Sequence, residues 1–515
     1  MIFLVIVVLG SLLVVEHFDT GWVLLLGPSG PFAVFFSFLA LILIMTRLAQ
    51  LRASDALDES GGSIIRLQSL YSRCQRLLIA LAAVAHFGLV FGTQWPQYCT
   101  DLVGRYAAGL DELLMLVPFL VLISVGYMKL YPVDRLIRQG LMGELLHYYE
   151  PVHPIWTQRQ YVSFQLRFQV LLVAAPLMLI IAAKDLIEWQ ADALTRVGAM
   201  VLEPFELAHL AELTADGVLA VVAGLVILIS PLMIRAIWHC RPLPHGTLRD
   251  ELRAIAARVK LRYRDILLWP THGIIVNAAV MGLTGRLRYI VLSDGLIETL
   301  TDGQIEAVFG HEIGHVKHHH LHFLLLFAFA AMGLLGLTAW YLQLNFQIPA
   351  NYIQAGLLIA VFVVWFFFFG RLSRGFERQA DLFAAESLSY RFDEVPTGCG
   401  NAECLRHHAN PAPILSPDPP LCLSAAEVVC SALYRAAALN AVPRNLKTWR
   451  HGSIEHRCRT IATMANQPET FFLHKLRMSW IKIALVGAAA LTAILALLTL
   501  ASLKDYDLAI KFLRG

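Results

Sequence analysis

The sequence predicts a mainly α, polytopic membrane protein of eight or nine transmembrane helices, with a small β-sheet and further helices outside them. Three observations carry this. Of 515 residues, 57% are hydrophobic and only 15% charged, where soluble domains average about 45–50% apolar and ~25% charged. Apolar stretches near the ~20 residues needed to cross a bilayer recur along the chain. Between two of them, residues 247–297 change to the helix and strand patterning of a water-facing domain.

Residues 2–15 are apolar but short, and are expected to be a signal anchor or a short first span. They lack the basic leader and small-residue cleavage site of a removed signal peptide. Residues 22–46 are long enough to span, with Pro28 and Pro31 expected to bend or interrupt them. Further spans are expected at about 78–93, 111–131, 168–184, 216–238, 321–343, 352–370 and 480–502. Lys184, at the end of one of them, is expected to snorkel to the interface.

Loop charge orients these spans. Arg47, Arg52, Arg66, Arg73 and Arg76 follow the first long one, and Arg135, Arg138, Arg159 and Arg167 lie in a later connection. The segment 185–215 is instead acidic, with Glu188, Asp192, Glu203, Glu206 and Glu212. The positive-inside rule puts the basic connections in the cytoplasm, and segments 239–320 and 371–479 with them. Lys504, Lys511 and Arg514 then fall on the outer side, against the rule. The chain divides accordingly into a multi-span region (1–238), a catalytic part with an edge strand (239–320), a transmembrane hairpin (321–370), a second catalytic part (371–479) and a last helix with its tail (480–515). A formal charge of +3 is too small to imply a nucleic-acid partner. The eight cysteines form no secreted-type framework, so free thiols are expected.

Within the first aqueous segment, Leu248, Leu252, Ile255, Ala256 and Val259 make one stripe of an amphipathic helix over 247–260. DILLWP, IIVNAAVMG and RYIVLSDGLI read as short strands, with Gly282 and Gly285 marking the turn between the last two. Thr301 and Gln304 have capping-box spacing at the head of the helix that follows.

That helix carries His311, Glu312 and His315 as H-E-x-x-H. The i, i+4 spacing puts both imidazoles on one helical face, where they can share a zinc ion, with Glu312 placed to take a proton from the water the ion activates. Alone, the motif also fits a polar turn at the membrane surface. A catalytic zinc takes a third protein ligand. Glu377 and Asp381, again i, i+4, follow the hairpin that returns the chain to the side it left. Glu377 is the candidate third ligand, and Asp381 the acceptor for the other ring N–H of a ligand histidine.

H-E-x-x-H, a downstream E-x-x-x-D and the upstream Asn277, Ala278 and Gly282 as N-A-x-x-x-G resemble the membrane-integrated gluzincin metalloprotease family of the CAAX prenyl endopeptidase and the heat-shock protease HtpX. The resemblance covers roughly 245–320 and 371–465. It implies a zincin-type catalytic domain with one zinc held by His311, His315 and Glu377. It also implies an edge strand, Asn277, Ala278, Ala279, Val280, Met281 and Gly282, that binds substrate in extended form by β-augmentation. RHGSIEHR, 450–457, is similar to the family's H-P-S-x-x-x-R segment, with Gly452 where the family has proline. There His451 is expected to donate to the tetrahedral oxyanion, and Arg457 to brace the ligand carboxylates or the substrate.

The resemblance implies an endopeptidase acting on membrane-associated or misfolded proteins; the loop charges put its site on the cytoplasmic side, and the expected location is a bacterial inner membrane. A non-proteolytic scaffold or receptor that retains a protease fold is the competing reading. An intramembrane site-2-type protease is set aside, because no second ligand motif lies in the later spans. His318, His319, His320 and His322 are expected to be interfacial rather than a second metal site. The segment 396–422, with Cys399, Cys404, His407, His408 and Cys422, is read as a flexible insertion.

Overall fold

The computed structural model describes residues 27–58, 64–104, 108–147, 154–205, 213–273, 275–346, 350–389, 423–440 and 442–514, with isolated positions between them. The segment 396–422 lies outside the described residues except Leu421, and 2–15 does so except Val8, Ser11 and Leu12. Among the described residues eight helices are long and apolar enough to cross a membrane, the first at Gly30–Asp55 and the last at Glu469–Thr499. Each span expected from residue 22 onward has its counterpart among them.

The helices outrun their apolar stretches. The span expected at 78–93 is part of a helix from Ile64 to Gly92, so Arg66, Arg73 and Arg76 ride on its first turns rather than in a loop. Arginine is a good helix former, and hydropathy alone marks only the lipid-facing part of such a helix. Pro31 does not interrupt the first helix. It stands at the second position of Gly30–Asp58, in the first turn, where a missing N–H costs nothing. Lys184 is buried and pairs with Glu188 at 3.2 Å instead of reaching outward.

The chain forms two compact units, Met1–Arg241 and Pro242–Gly515. The first is a helical bundle. The second contains a four-stranded sheet and the helices that carry the candidate site. The sheet's strands are β1 (Arg241–Pro242, at the boundary between the units), β2 (Asp265–Trp269), β3 (Ala278–Met281) and β4 (Tyr289–Ser293), in the order β1-β2-β4-β3. β2 runs parallel to β4 and β3 antiparallel to it, so β3 is an edge strand. Gly282 ends β3 at φ +106°, in the left-handed region a side chain would resist.

Helix α1 (Asp302–Lys317) starts at a capping box: Thr301 accepts from the Gln304 N–H, and the Gln304 side chain accepts from the Thr301 N–H. Ile305, Phe309 and Ile313 recur every four residues and pack with Leu252, Ile290 and Leu292 beneath the sheet. Each such side chain contributes roughly 1.5–3 kcal/mol of burial. Helix α2 (His320–Phe346) follows, then α3 (Ala350–Val363), a π-turn at Val364–Phe369 and α4 (Gly370–Ser389). The unit closes with α5 (Leu423–Leu439), α6 (Ile454–Asn466) and α7 (Pro468–Arg514).

α1 and α4 approach closely because their contact face is made of small residues. A Cβ on Gly314 would lie 3.0 Å from the Ala380 Cα, and one on Gly310 would lie 3.3 Å from the Ala384 Cα. This crossing sets the histidines of one helix against the carboxylates of the other.

Candidate active site

His311, His315 and Glu377 offer nitrogen and oxygen atoms that all lie within 4.8 Å of one another. The two imidazole Nε2 atoms are 3.2 Å apart, and Glu377 oxygens lie 3.7 Å from His311 Nε2 and 3.9 Å from His315 Nε2. A tetrahedral zinc with bonds of about 2.0–2.2 Å separates its ligands by about 3.3–3.6 Å, so the three donors suit such an ion in type and spacing. His311 Nδ1 lies 2.9 Å from Asp381 Oδ1. That contact is an ion-pair distance without hydrogen-bond alignment; the carboxylate's charge favours the proton on Nδ1, which leaves the Nε2 lone pair facing the other two donors.

Asp381 is almost fully buried and serves two partners. Besides His311, it accepts two parallel hydrogen bonds from Arg457, at 2.8 and 2.6 Å. Arg457 also reaches Glu377 at 3.4 Å. These carboxylates hold its guanidinium pKa above the ordinary value, although burial opposes them. His451 Nδ1 lies 2.8 Å from the Glu377 carboxylate. Its neighbour Gly452 has φ +75°, and a two-way backbone pairing joins it to Thr448. Proline, fixed near −65°, cannot take that conformation, so this loop is built differently from an H-P-S turn.

Glu312 turns toward the edge strand and accepts the Val280 N–H at 3.0 Å. Loss of bulk water is the largest influence on it and raises its pKa to about 7, despite the opposing pull of His311. Burial, then the charge of His311, lowers the His315 pKa to about 3. Burial pulls His311 down as well, but its close contact and charge interaction with Asp381 outweigh this and raise it. A cavity of about 580 Å³ opens over these groups. Asn277, Ala278, Ala279, Val280 and Gly282 line it, together with His451 and Arg457. Met281 is buried and does not line it. The Asn277 backbone is tied to Ser293, donating its N–H to the Ser293 hydroxyl and accepting the Ser293 N–H.

His320, expected at the interface, is instead 1% exposed and bonds His315 on one side and Gln379, which the sequence did not single out, on the other. Its signal was present in the histidine run, but i, i+5 is not a neighbour spacing on a continuous helix. The described cysteines Cys74, Cys99, Cys240, Cys430 and Cys458 are free thiols.

Residues 242–395 match the model of peptidase family M48. Among curated proteins, the chain is 32% identical over 135 residues to "Protease HtpX homolog" of Archaeoglobus fulgidus, covering 24% of this chain and 34% of that one. It is 30% identical over 196 residues to "Probable CAAX prenyl protease 1" of Schizosaccharomyces pombe, covering 34% of this chain and 40% of that one. The match therefore spans well under half the length of either relative. Among solved structures, Ste24p of S. mikatae aligns over 83% of this chain and 97% of its own, with 16% identity and a TM-score of 0.45.

Proposed function

We propose that this integral membrane protein, whose residues 242–395 match the model of peptidase family M48, is a zinc-dependent endopeptidase. The observation that carries the reading is the convergence of His311 Nε2, His315 Nε2 and the Glu377 carboxylate, with Glu312 beside them at an edge strand. His311, His315 and Glu377 would hold one zinc ion, which when bound supplies Lewis-acid polarisation of a carbonyl and acidifies water.

The chain's own residues supply the rest. Main-chain groups of Ala278–Met281 add an extended peptide to the sheet edge, which fixes its position independently of most side chains. Glu312 takes a proton from the attacking water and returns it to the leaving amine, a role suited to a carboxyl whose pKa lies near neutrality. Asp381 holds the His311 proton on Nδ1, and Arg457 holds Asp381. His451 braces the Glu377 carboxylate and stands at the cavity, where it is placed to donate to the oxyanion.

Substrates would be membrane-associated or misfolded proteins, reached from the cytoplasmic side of a bacterial inner membrane. The positive-inside distribution of arginine supports the cytoplasmic side. The deciding experiment is cleavage of a peptide library and of detergent-solubilised membrane proteins by purified enzyme. Cleavage should require zinc and vanish in Glu312→Ala. Metal-free protein that cleaves equally well, or an unaffected Glu312→Ala, sinks the proposal and leaves a scaffold or receptor.

A further inference from the structure

His315 and His320 are five residues apart, which on an unbroken helix puts their side chains about 140° from each other. They meet because the helix breaks between them. α1 ends at Lys317, His318 caps it, and His319 takes a left-handed φ of +55° before α2 starts at His320. The break turns the His320 ring back onto the helix it has just left. Its Nδ1 lies 2.9 Å from His315 Nδ1, and its Nε2 lies 3.0 Å from Gln379 Oε1 on α4. The ring is fixed in plane by stacking on Phe376, with centroids 4.3 Å apart and planes 9° from parallel.

These contacts have one consistent proton assignment. The Gln379 oxygen only accepts, so His320 carries its proton on Nε2 and presents a lone pair at Nδ1. His315 must then donate from its own Nδ1, leaving a lone pair on Nε2. That is the nitrogen that faces His311 and Glu377. The Asp381 carboxylate, 2.9 Å from His311 Nδ1, favours the same tautomer there by its charge. The two histidines thus receive one outcome from different devices, a buried carboxylate for His311 and a neutral imidazole–amide chain for His315. An unheld imidazole divides its proton between two nitrogens and turns about its bond, and both cost metal affinity.

We propose that His320, with Gln379 behind it, is a positioning residue that holds His315 in the tautomer and orientation able to bind the metal, an inference that rests on the metal-centre reading above. The neutral chain adds no charge near the ion, so it sets geometry and proton placement rather than site potential.

The test measures zinc affinity of the full-length protein in detergent, by competition with a chromophoric chelator, beside thermal melting of the metal-free protein. His320→Phe keeps a ring to stack on Phe376 but offers no acceptor, and should weaken zinc 10–100-fold with metal-free melting unchanged. His320→Asn puts an oxygen near the Nδ1 position and should recover affinity to within a few-fold of native. Gln379→Leu should weaken zinc several-fold, whereas Gln379→Glu, which can only accept in its ionised form, should retain most of it. Native affinity in His320→Phe overturns the proposal, as does His320→Asn behaving like His320→Phe. Should His320→Phe melt early, the Gln379 pair decides, and equal affinity in its two members overturns the proposal. His311→Ala is the control. If it too binds zinc normally, the metal-centre reading has failed rather than the role of His320.

Discussion

The Glu312 carboxylate accepts the Val280 backbone N–H at 3.0 Å, so the proposed base rests on the free side of the edge strand. β3 pairs with β4 on its other side, with Val280 opposite Ile290. A peptide adding to this edge competes for the same N–H, and its docking would release Glu312 toward the site. Glu312→Gln keeps the shape and an oxygen for Val280 but cannot take a proton. Peptide hydrolysis should fall about 10²–10⁴-fold, while zinc content, read by elemental analysis, stays near one per chain. Substantial residual cleavage would assign the base elsewhere.

The titration behaviour separates the two histidines. His315, held near 3 by burial, stays neutral throughout the working range. His311 is raised above its ordinary 6.5, since Asp381 outweighs burial. A proton on His311 competes with the metal. Apparent zinc affinity should therefore be flat above the His311 pKa and fall about tenfold per pH unit below it. A two-proton slope near neutrality would show that His315 titrates as well.

For the rate, the sign is opposite to that of a general acid. Glu312 works ionised, so cleavage should rise with pH and level off above its pKa. That pKa is about 7 in the metal-free protein, and a nearby cation favours the carboxylate. The acid limb of kcat/KM in the zinc-loaded protein should thus lie below 7, and should be lost in Glu312→Asp if the shorter side chain no longer reaches the water.

Arg457 and Asp381 form a buried ion pair with two parallel hydrogen bonds. Removing one partner strands the other's charge. Arg457→Ala should cost about 3–5 kcal/mol of stability, measured as loss of ordered helix on heating in detergent. Arg457→Lys keeps the charge but not the fork, and should lie between. If Arg457→Ala melts like the native protein, Asp381 is not dependent on it.

Gly314 and Gly452 test the backbone. A side chain at Gly314 meets the Ala380 Cα and the Phe383 Cβ, backbone and stem atoms that cannot swing away. Gly314→Val should push α1 from α4, destabilise by about 1–3 kcal/mol and weaken zinc by at least tenfold. Gly452→Pro restores the H-P-S pattern, yet φ +75° forbids proline. It should detach His451 from Glu377 and lower activity without improving any step. A more active Gly452→Pro protein would show that the loop adopts another conformation in catalysis.

By itself the sequence determined whatever depends on neighbours a few residues apart. Helical periodicity placed His311 beside His315 and Glu377 beside Asp381 on common faces. The length of apolar runs placed the spans, and capping chemistry marked the start of α1 at Thr301. Only the tertiary structure decided how the faces meet. The small-residue crossing of Gly310 and Gly314 with Ala380 and Ala384 joins donors 62 positions apart. Packing of α6 brings Arg457 to Asp381, and the break at His319 turns His320 onto His315. The reason is physical: a 3.6-residue repeat fixes which side chains share a helix face, whereas which two faces touch depends on close packing of the whole unit, and a left-handed residue at a non-glycine position leaves no periodic trace in a sequence.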